Sequence, residues 1–380
     1  MKFKGKTILI ISQQDWGKMF ISKHHYAVAL AKLGNKVYFL NSPVKDGELK
    51  SGEIVIEPTS YDGLSVIKHR FFYPYVIKHK FKTLHNFLLK YHARKIEQQI
   101  AQRVDVVWSF DVSDTVSLRA FSSVSFKIFM PVDEPQIPEG AHGVDTADVL
   151  LSVTNEIISK YHTKIPAMFV NHGVAEEFIT EQVSLAINKP LQVGLSGNFL
   201  RPDIDWVTLN KIVTEHPDVI FNFWGAVDRK DANLAGDVNA GSSASAAMID
   251  KSNVRFHGAV DPAILAKNLK AMDCFLICYD IAKDQSGGTN YHKVLEYMAT
   301  GKTIVANNIT TYESMPELVT MPLERNNENL PALFTQVIKD IDTYNSIDMQ
   351  SKRIGYAMQH TYQNNITRIE DFITANVNRN

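Results

Sequence analysis

Two cysteines in 380 residues exclude a disulfide-stapled scaffold. Both stand in the apolar string CFLIC, so Cys274 and Cys278 read as small buried hydrophobes in a reducing cytoplasm, not as a bridge or a metal pair. Long apolar runs are missing too. No stretch approaches the roughly 20 residues of a membrane span, and the opening MKFKGKTILIIS is too short in its apolar part for an ordinary signal peptide. A charge excess is also absent. With 40 Lys and Arg against 41 Asp and Glu, the chain has no general attraction for nucleic acid, and any basic surface must be local. No His, Cys, Asp or Glu cluster shows metal-ligand spacing. What is present, 45% hydrophobic and 21% charged residues, is enough for two globular domains of ordinary size.

The string TILIIS at 7–12 is continuous and apolar, as expected of a central parallel strand covered on both faces. A loop QQDWGKMFIS, a helix HHYAVALAKLG ended by Gly34, and a second strand KVYFL follow, so an α/β unit opens the chain. In a parallel sheet the strand-to-helix loops lie at the carboxyl ends of the strands, where ligands bind, which makes Asp15, Trp16, Gly17 and His24 candidate cleft residues. For His24 and His25 the other reading is a pair of solvent-facing helix histidines. Further strands are expected at 104–110, 126–132, 147–153 and 167–170, with Asp111 near the end of the first and Asp133 and Glu134 directly after the second. Those carboxylates face a cleft or cap a turn.

Residues 68–95 are the local charge anomaly: eight lysines and arginines, four histidines and seven aromatics, with no acid. Such a stretch can lie against anionic lipid through Arg70, Lys78, Lys80 and Lys82, with Phe71, Phe72 and Tyr75 entering the interface. It also fits a domain helix whose aromatics pack inward. A polar, breaker-rich stretch at 181–190 reads as a linker, after which strand, loop and helix alternate again. Residues 228–253, rich in Ala, Gly, Ser and Asp, read as a mobile insertion. The tail places Ile354, Met358, Tyr362, Ile366, Ile369 and Ile373 at helical spacing, which predicts one buried face.

The stretch 281–308 carries the most chemistry. Ser286, Gly287, Gly288 and Thr289 form a polar loop, Asn290 is a suitable N-cap, and a helix is expected over 291–299 with Gly301 as its terminator. Backbone N–H groups and the positive helix end would favour a diphosphate there, and the Glu296 carboxylate can accept hydrogen bonds from a sugar diol. A glycine loop before an amphipathic helix is also ordinary scaffold.

The whole string Asn290-x-x-Lys293-x-x-Glu296-Tyr297-Met298-Ala299-x-Gly301-Lys302-x-x-Val305 resembles the donor-site signature of GT-B glycosyltransferases of the retaining, family-4-like kind, in which a helix glutamate binds the ribose of a nucleotide-sugar. That family often has a second glutamate eight residues earlier, where this chain has Gly288. Its first loop commonly carries an arginine and a lysine, where this chain has Arg201 alone and Asn198 nearer the arginine position. Asn171, His172, Gly173 and Val174, with Phe178 beyond, look like the family's end-of-domain pattern.

The resemblance implies an α/β fold of two Rossmann-like domains facing each other across a cleft. Residues 1–180 with a returning helix at 362–380 would bind acceptor, and 190–361 the nucleotide-sugar. It implies donor contacts from Gly197, Asn198, Gly225, Val260, Tyr279, Ser286, Gly287, Gly288, Thr289, Asn290 and Glu296. Arg201 and Lys293 would offset diphosphate charge, Asp133 would orient the acceptor or share its proton, and Asp15, Trp16, Gly17, His24, Asp111 and His172 would line the acceptor side. The expected enzyme is a metal-independent hexosyltransferase with no cofactor beyond its UDP- or GDP-type co-substrate. A glycan or lipid-linked acceptor, an anionic membrane surface on the cytoplasmic face and no nucleic acid complete the expectation. A nucleotide-sugar epimerase of the same fold and a non-catalytic nucleotide-sugar-binding subunit are the alternatives.

Overall fold

The structure, a computed structural model, describes residues 1–44, 47–135, 141–227, 248 and 250–377. Most of the expected insertion at 228–253 lies outside the described residues. Contacts divide the chain into two compact units, one of Met1–Trp16, Ile21–Asn171 and Asn365–Asn380, the other of Gly17–Phe20 and His172–Asn364.

In the first unit the elements are β1 (Thr7–Ile11), α1 (Ser22–Lys32), β2 (Lys36–Leu40), β3 (Ile54–Pro58), β4 (Leu64–His69), α2 (Ile77–Lys80), α3 (Lys82–Ile100), β5 (Val106–Ser109), β6 (Phe126–Phe129), β7 (Val149–Ser152), α4 (Asn155–Lys160) and β8 (Ala167–Phe169). The strands form one sheet in the order β3-β4-β2-β1-β5-β6-β7-β8, parallel except for β3. Every residue of β1, β5, β6 and β7 is buried, as strands covered on both faces require. The order reverses between β1 and β5, so the loops after these two strands flank the switch point, where open α/β sheets bind ligands.

The sequence left β3 and β4 unassigned. β3 is an edge strand whose side chains are half-buried or exposed, and β4 interrupts its apolar residues with half-buried Ser65 and Lys68, so neither gives the continuous apolar signal of β1. Helix α3 has an inward face of His85, Leu89, His92, Ala93, Ile96 and Ile100. Its other face bears Leu84, Phe87 and Tyr91, exposed by 47%, 70% and 49%, with Phe81 just before the helix at 61%. These are not the aromatics expected to meet a membrane. Phe71 is buried, and Lys78 is bound to the carbonyls of Ser113 and Asp114.

The second unit runs β9 (Leu191–Ser196), α5 (Trp206–Glu215), β10 (Val219–Trp224), β11 (Val254–Phe256), α6 (Pro262–Leu269), β12 (Cys274–Ile277), α7 (Lys293–Ala299), β13 (Thr303–Ala306), α8 (Leu330–Lys339), α9 (Ile341–Tyr344) and α10 (Ile347–Gln359). Its sheet is parallel, in the order β11-β10-β9-β12-β13, with the switch point between β9 and β12. Asp205 caps α5 by accepting the Thr208 N–H at 3.0 Å. Cys274 and Cys278 are reduced and buried, and burial pushes both thiols up.

The tail forms two helices, α10 and then α11 (Tyr362–Asn376). Tyr362, Ile366, Ile369 and Ile373 are buried as expected, but Met358 is exposed. The face that α10 buries is Gln350, Arg353 and Ala357. Arg353 donates to the carbonyls of Gly301 at 3.0 Å and Tyr344 at 2.9 Å. From Asn365 onward α11 packs in the first unit, where Asn365 donates to the Asn171 carbonyl at 3.0 Å.

Candidate functional site

At the switch point of the second unit, glycines bring three loops into backbone contact. Gly197 N–H donates to the Trp224 carbonyl at 2.9 Å, and Gly225 N–H to the Gly258 carbonyl at 2.8 Å. A Cβ on Gly225 would lie 1.6 Å from the Gly197 oxygen, so no other residue fits. A Cβ on Gly197 would lie 2.6 Å from Lys293 Nζ and 3.3 Å from Tyr279 Oη. The missing side chain therefore leaves an approach to a buried ammonium. Lys293 donates to the Tyr279 hydroxyl, and its Nζ stands 4.9 Å from the centre of that ring. Asn198 accepts the Leu200 N–H, and Val260 packs half-buried against the core.

Arg201 is tied to two carboxylates. It grips Asp203 through two nitrogens and reaches Asp284 at 3.3 Å, with its guanidinium 5.1 Å from the Tyr279 ring centre. Asp284 in turn holds the glycine loop. It accepts from Ser286 N–H at 3.0 Å, Ser286 Oγ at 2.7 Å, Gly288 N–H at 3.1 Å and Tyr291 Oη at 2.7 Å. Burial pushes its carboxyl up, but these hydrogen bonds, led by Tyr291, and the Arg201 charge hold it below the ordinary range.

The loop therefore differs from the expected phosphate cradle. Gly287 N–H is spent on the Asp284 carbonyl and Thr289 N–H on that of Ser286, so the N–H groups of residues 286–289 are satisfied within the loop. Gly287 and Gly288 have φ of +59° and +69°. A Cβ on Gly288 would meet the Asn308 carbonyl at 3.1 Å, and at this positive φ the glutamate that the resemblance expects here would be strained. Arg325 also donates to the Gly287 carbonyl. Helix α7 starts at Lys293 and not at 291, and Asn290 is not its cap; His292 stands there, without a side-chain cap bond. Tyr291 is held out of the helix by its hydroxyl bond to Asp284 and its ring contact with Tyr279 at 4.9 Å.

Glu296 is 3% exposed and lies one turn beyond Lys293 on α7. His292 Nε2 is 3.1 Å from its Oε1, and the buried His172 ring lies 6.1 Å from that of His292. Burial, then the nearby His292, keeps the His172 pKa well below its ordinary value. Tyr297 fixes the helix to the sheet by accepting Ser196 N–H at 2.6 Å and stacking on Phe275 at 4.1 Å.

In the first unit, both ring nitrogens of His24 meet backbone: Ile21 N–H at 3.2 Å and the Asp15 carbonyl at 3.1 Å. Its ring stacks on Phe39, and burial pulls its pKa to about 3. His24 and His25 are thus buried, not solvent-facing. Asp15 accepts the Ser42 N–H and burial raises its pKa; Trp16 donates its N–H to Asn41 and packs on Phe39. Gly17, half-buried, groups by its contacts with the second unit. Asp111 accepts from Ser113 and Val116 in its own loop, which is the turn role. Asp133 is exposed after β6. Near these carboxylates is buried Lys23, bonded to Gln14, which sequence reasoning missed along with Asp203, Asp284, His292 and Arg325. Among the described residues, no three His, Cys, Asp or Glu side chains form a group able to hold a metal. Among them, no helix is long and apolar enough to cross a membrane.

No protein-family model matches the chain, and no curated protein does. Solved structures do resemble it. Sucrose-phosphate synthase from Thermosynechococcus elongatus superposes with a TM-score of 0.66, covering 97% of this chain and 98% of that one at 12% identity. HepE from Anabaena, in complex with UDP and glucose, gives 0.66 over 97% and 100% at 13% identity. WaaG, a glycosyltransferase involved in lipopolysaccharide biosynthesis, gives 0.60 over 97% and 99% at 11% identity. At these identities the likeness shows the fold, two Rossmann-like units of the GT-B kind.

Proposed function

We propose that the chain is a glycosyltransferase that takes a UDP- or GDP-type sugar into the second unit and moves the sugar to a hydroxyl of an acceptor bound by the first. The observation that carries this reading is the buried Lys293 ammonium beside Gly197 at the switch point, with buried Glu296 one turn along the same helix. A cation and a carboxylate at that spacing suit a diphosphate and a ribose diol. As the sugar departs, the diphosphate gains negative charge, which Lys293 and Arg201 would offset without a resident divalent ion. Retention of configuration, a donor role for the 286–290 loop and an acceptor-orienting role for Asp133 belong to the same proposal. The UDP and glucose in the HepE structure support testing UDP-glucose first.

The test is release of nucleotide from UDP-, GDP-, ADP- and CMP-sugars mixed with the protein. Slow release of UDP or GDP is the expected outcome. Epimer formation would make it an epimerase, and silence with retained binding would make it a non-catalytic subunit. Glu296→Ala should lower donor affinity at least about tenfold, since a charge-assisted hydrogen bond contributes about 1.5–3 kcal/mol. Unchanged affinity in a folded variant would place the nucleotide elsewhere.

The involvement of WaaG in lipopolysaccharide biosynthesis supports a cell-surface glycan or lipid-linked acceptor, reached from the cytoplasmic side. For such an acceptor, docking on anionic membrane falls to Phe81 and the α3 helix that follows it, whose exposed Leu84, Phe87 and Tyr91 are accompanied by exposed Lys82, Lys90 and Arg94. Each cation near the surface contributes about 1 kcal/mol. Sedimentation with anionic vesicles at low salt, lost in a Phe87→Ser/Tyr91→Ser variant, is the expected result. Equal sedimentation of that variant would count against α3.

A further inference from the structure

His292 occupies the cap position of α7 yet its ring does not cap the helix. The ring turns instead one helical turn onward, where Nε2 lies 3.1 Å from Glu296 Oε1. The side chain of His292 is 21% exposed and that of Glu296 4%, so the partner nearer solvent holds the deeper carboxylate. A directed N–H fixes both the position and the plane of the carboxylate it meets, in the way outer partners orient the groups that touch a ligand. His172 closes one side of this arrangement, its ring tilted 68° to that of His292.

We propose that His292 is a positioning residue for nucleotide recognition: by bonding Glu296 it sets the carboxylate in the orientation that reads the ribose hydroxyls. This rests on the placement of the nucleotide in the second unit proposed above. His292 itself contacts Glu296 and acts on the ligand through it. Imidazole and a glutamine amide can both present an N–H at this reach, whereas a leucine of similar volume cannot.

The test measures binding of UDP, GDP and their 2′-deoxy forms to the full chain as wild type, Glu296→Ala, His292→Leu and His292→Gln. The wild type should prefer the ribose form about tenfold or more, because a site that bonds a hydroxyl rejects a ligand lacking it. Glu296→Ala should abolish the preference. His292→Leu should lose most of it while keeping the wild-type melting temperature, and His292→Gln should restore it to within about twofold. Change in the ribose-to-deoxyribose ratio is a readout that a merely structural role would not move. If Glu296→Ala loses the preference and His292→Leu keeps it, the positioning role is overturned and the placement stands. If the wild type shows no preference, or Glu296→Ala keeps it, the placement fails and the positioning role fails with it.

Discussion

The Asp284 cluster of the second unit and the buried histidines of the first treat buried polar groups in opposite ways. The second unit buries charge and supplies partners: Asp284 collects four donors besides Arg201, and Asp203 faces the same guanidinium. The first unit buries bases whose charged forms burial disfavours. His24, His69 and His92 are fully buried, and burial pulls their pKa values to about 3, about 3 and about 4. Lys23 is buried with its pKa lowered, against the amide of Gln14. An ion-paired, fully bonded cluster of this kind fixes its loop before any ligand arrives, because its dipoles are already oriented. A site of neutral imidazoles and aromatic rings suits contact and shape.

The comparison breaks most sharply at Gly225. Alanine there would drive Cβ into the Gly197 carbonyl, and we expect a loss of more than about 4 kcal/mol, or no folded protein, by denaturant titration. A stable Gly225→Ala protein would mean that the backbone contact between these loops is dispensable.

Asp284→Ala should come next, at about 3–5 kcal/mol, because Arg201 loses one counter-ion and the buried donors of Ser286, Gly288 and Tyr291 are left without their acceptor. Nucleotide affinity should fall with it. Full stability and affinity in this variant would show that Arg201 and Asp203 suffice to order the loop.

The third test is pH. Histidines with lowered folded pKa values favour the unfolded state once it can take up the proton. Their contribution is therefore intact above about 6.5 and is lost as pH falls from there towards 3–4. Each costs about 1 kcal/mol per pH unit in that window. The three together should cost about 3 kcal/mol by pH 5.5. Asp284, held low, keeps its contribution until below the ordinary carboxylate range. Hydrogen exchange at pH 7 and 5.5 should show the loss of protection at α1, β4 and α3 and around His172, and little loss around Asp284; equal loss around Asp284 would erase the contrast.

The smallest effect is expected at Lys23. Methionine keeps the stem and removes a buried amine, so Lys23→Met should change stability by no more than about 1 kcal/mol, in either direction. A loss of about 3 kcal/mol or more would mean that Lys23 is charged and paired with Asp111 and Asp133, and the first unit would then resemble the second.

The repeated strand-and-helix order, the central strands and the hydrophobic face of α11 were legible in the sequence, because apolar periodicity reports burial by neighbours along the chain. Strands β3 and β4 were not, since β3 is a half-solvated edge and β4 breaks its apolar run with Ser65 and Lys68. Nor was the outward position of Met358 within α10, where the buried face is instead filled by Gln350, Ala357 and Arg353 with its bonds to distant carbonyls. At the site, sequence determined that lysine, glutamate and glycine stand at helical and loop spacing. Only the tertiary structure decided that the loop N–H groups turn onto Asp284, that His292 turns to Glu296 and that Gly225 stands against Gly197. Aspartate in KDQSGG reads locally as an ordinary turn residue. Its role as the loop's anchor follows from Tyr291 and Arg201, which converge on it through the strand order and cannot be inferred from spacing alone.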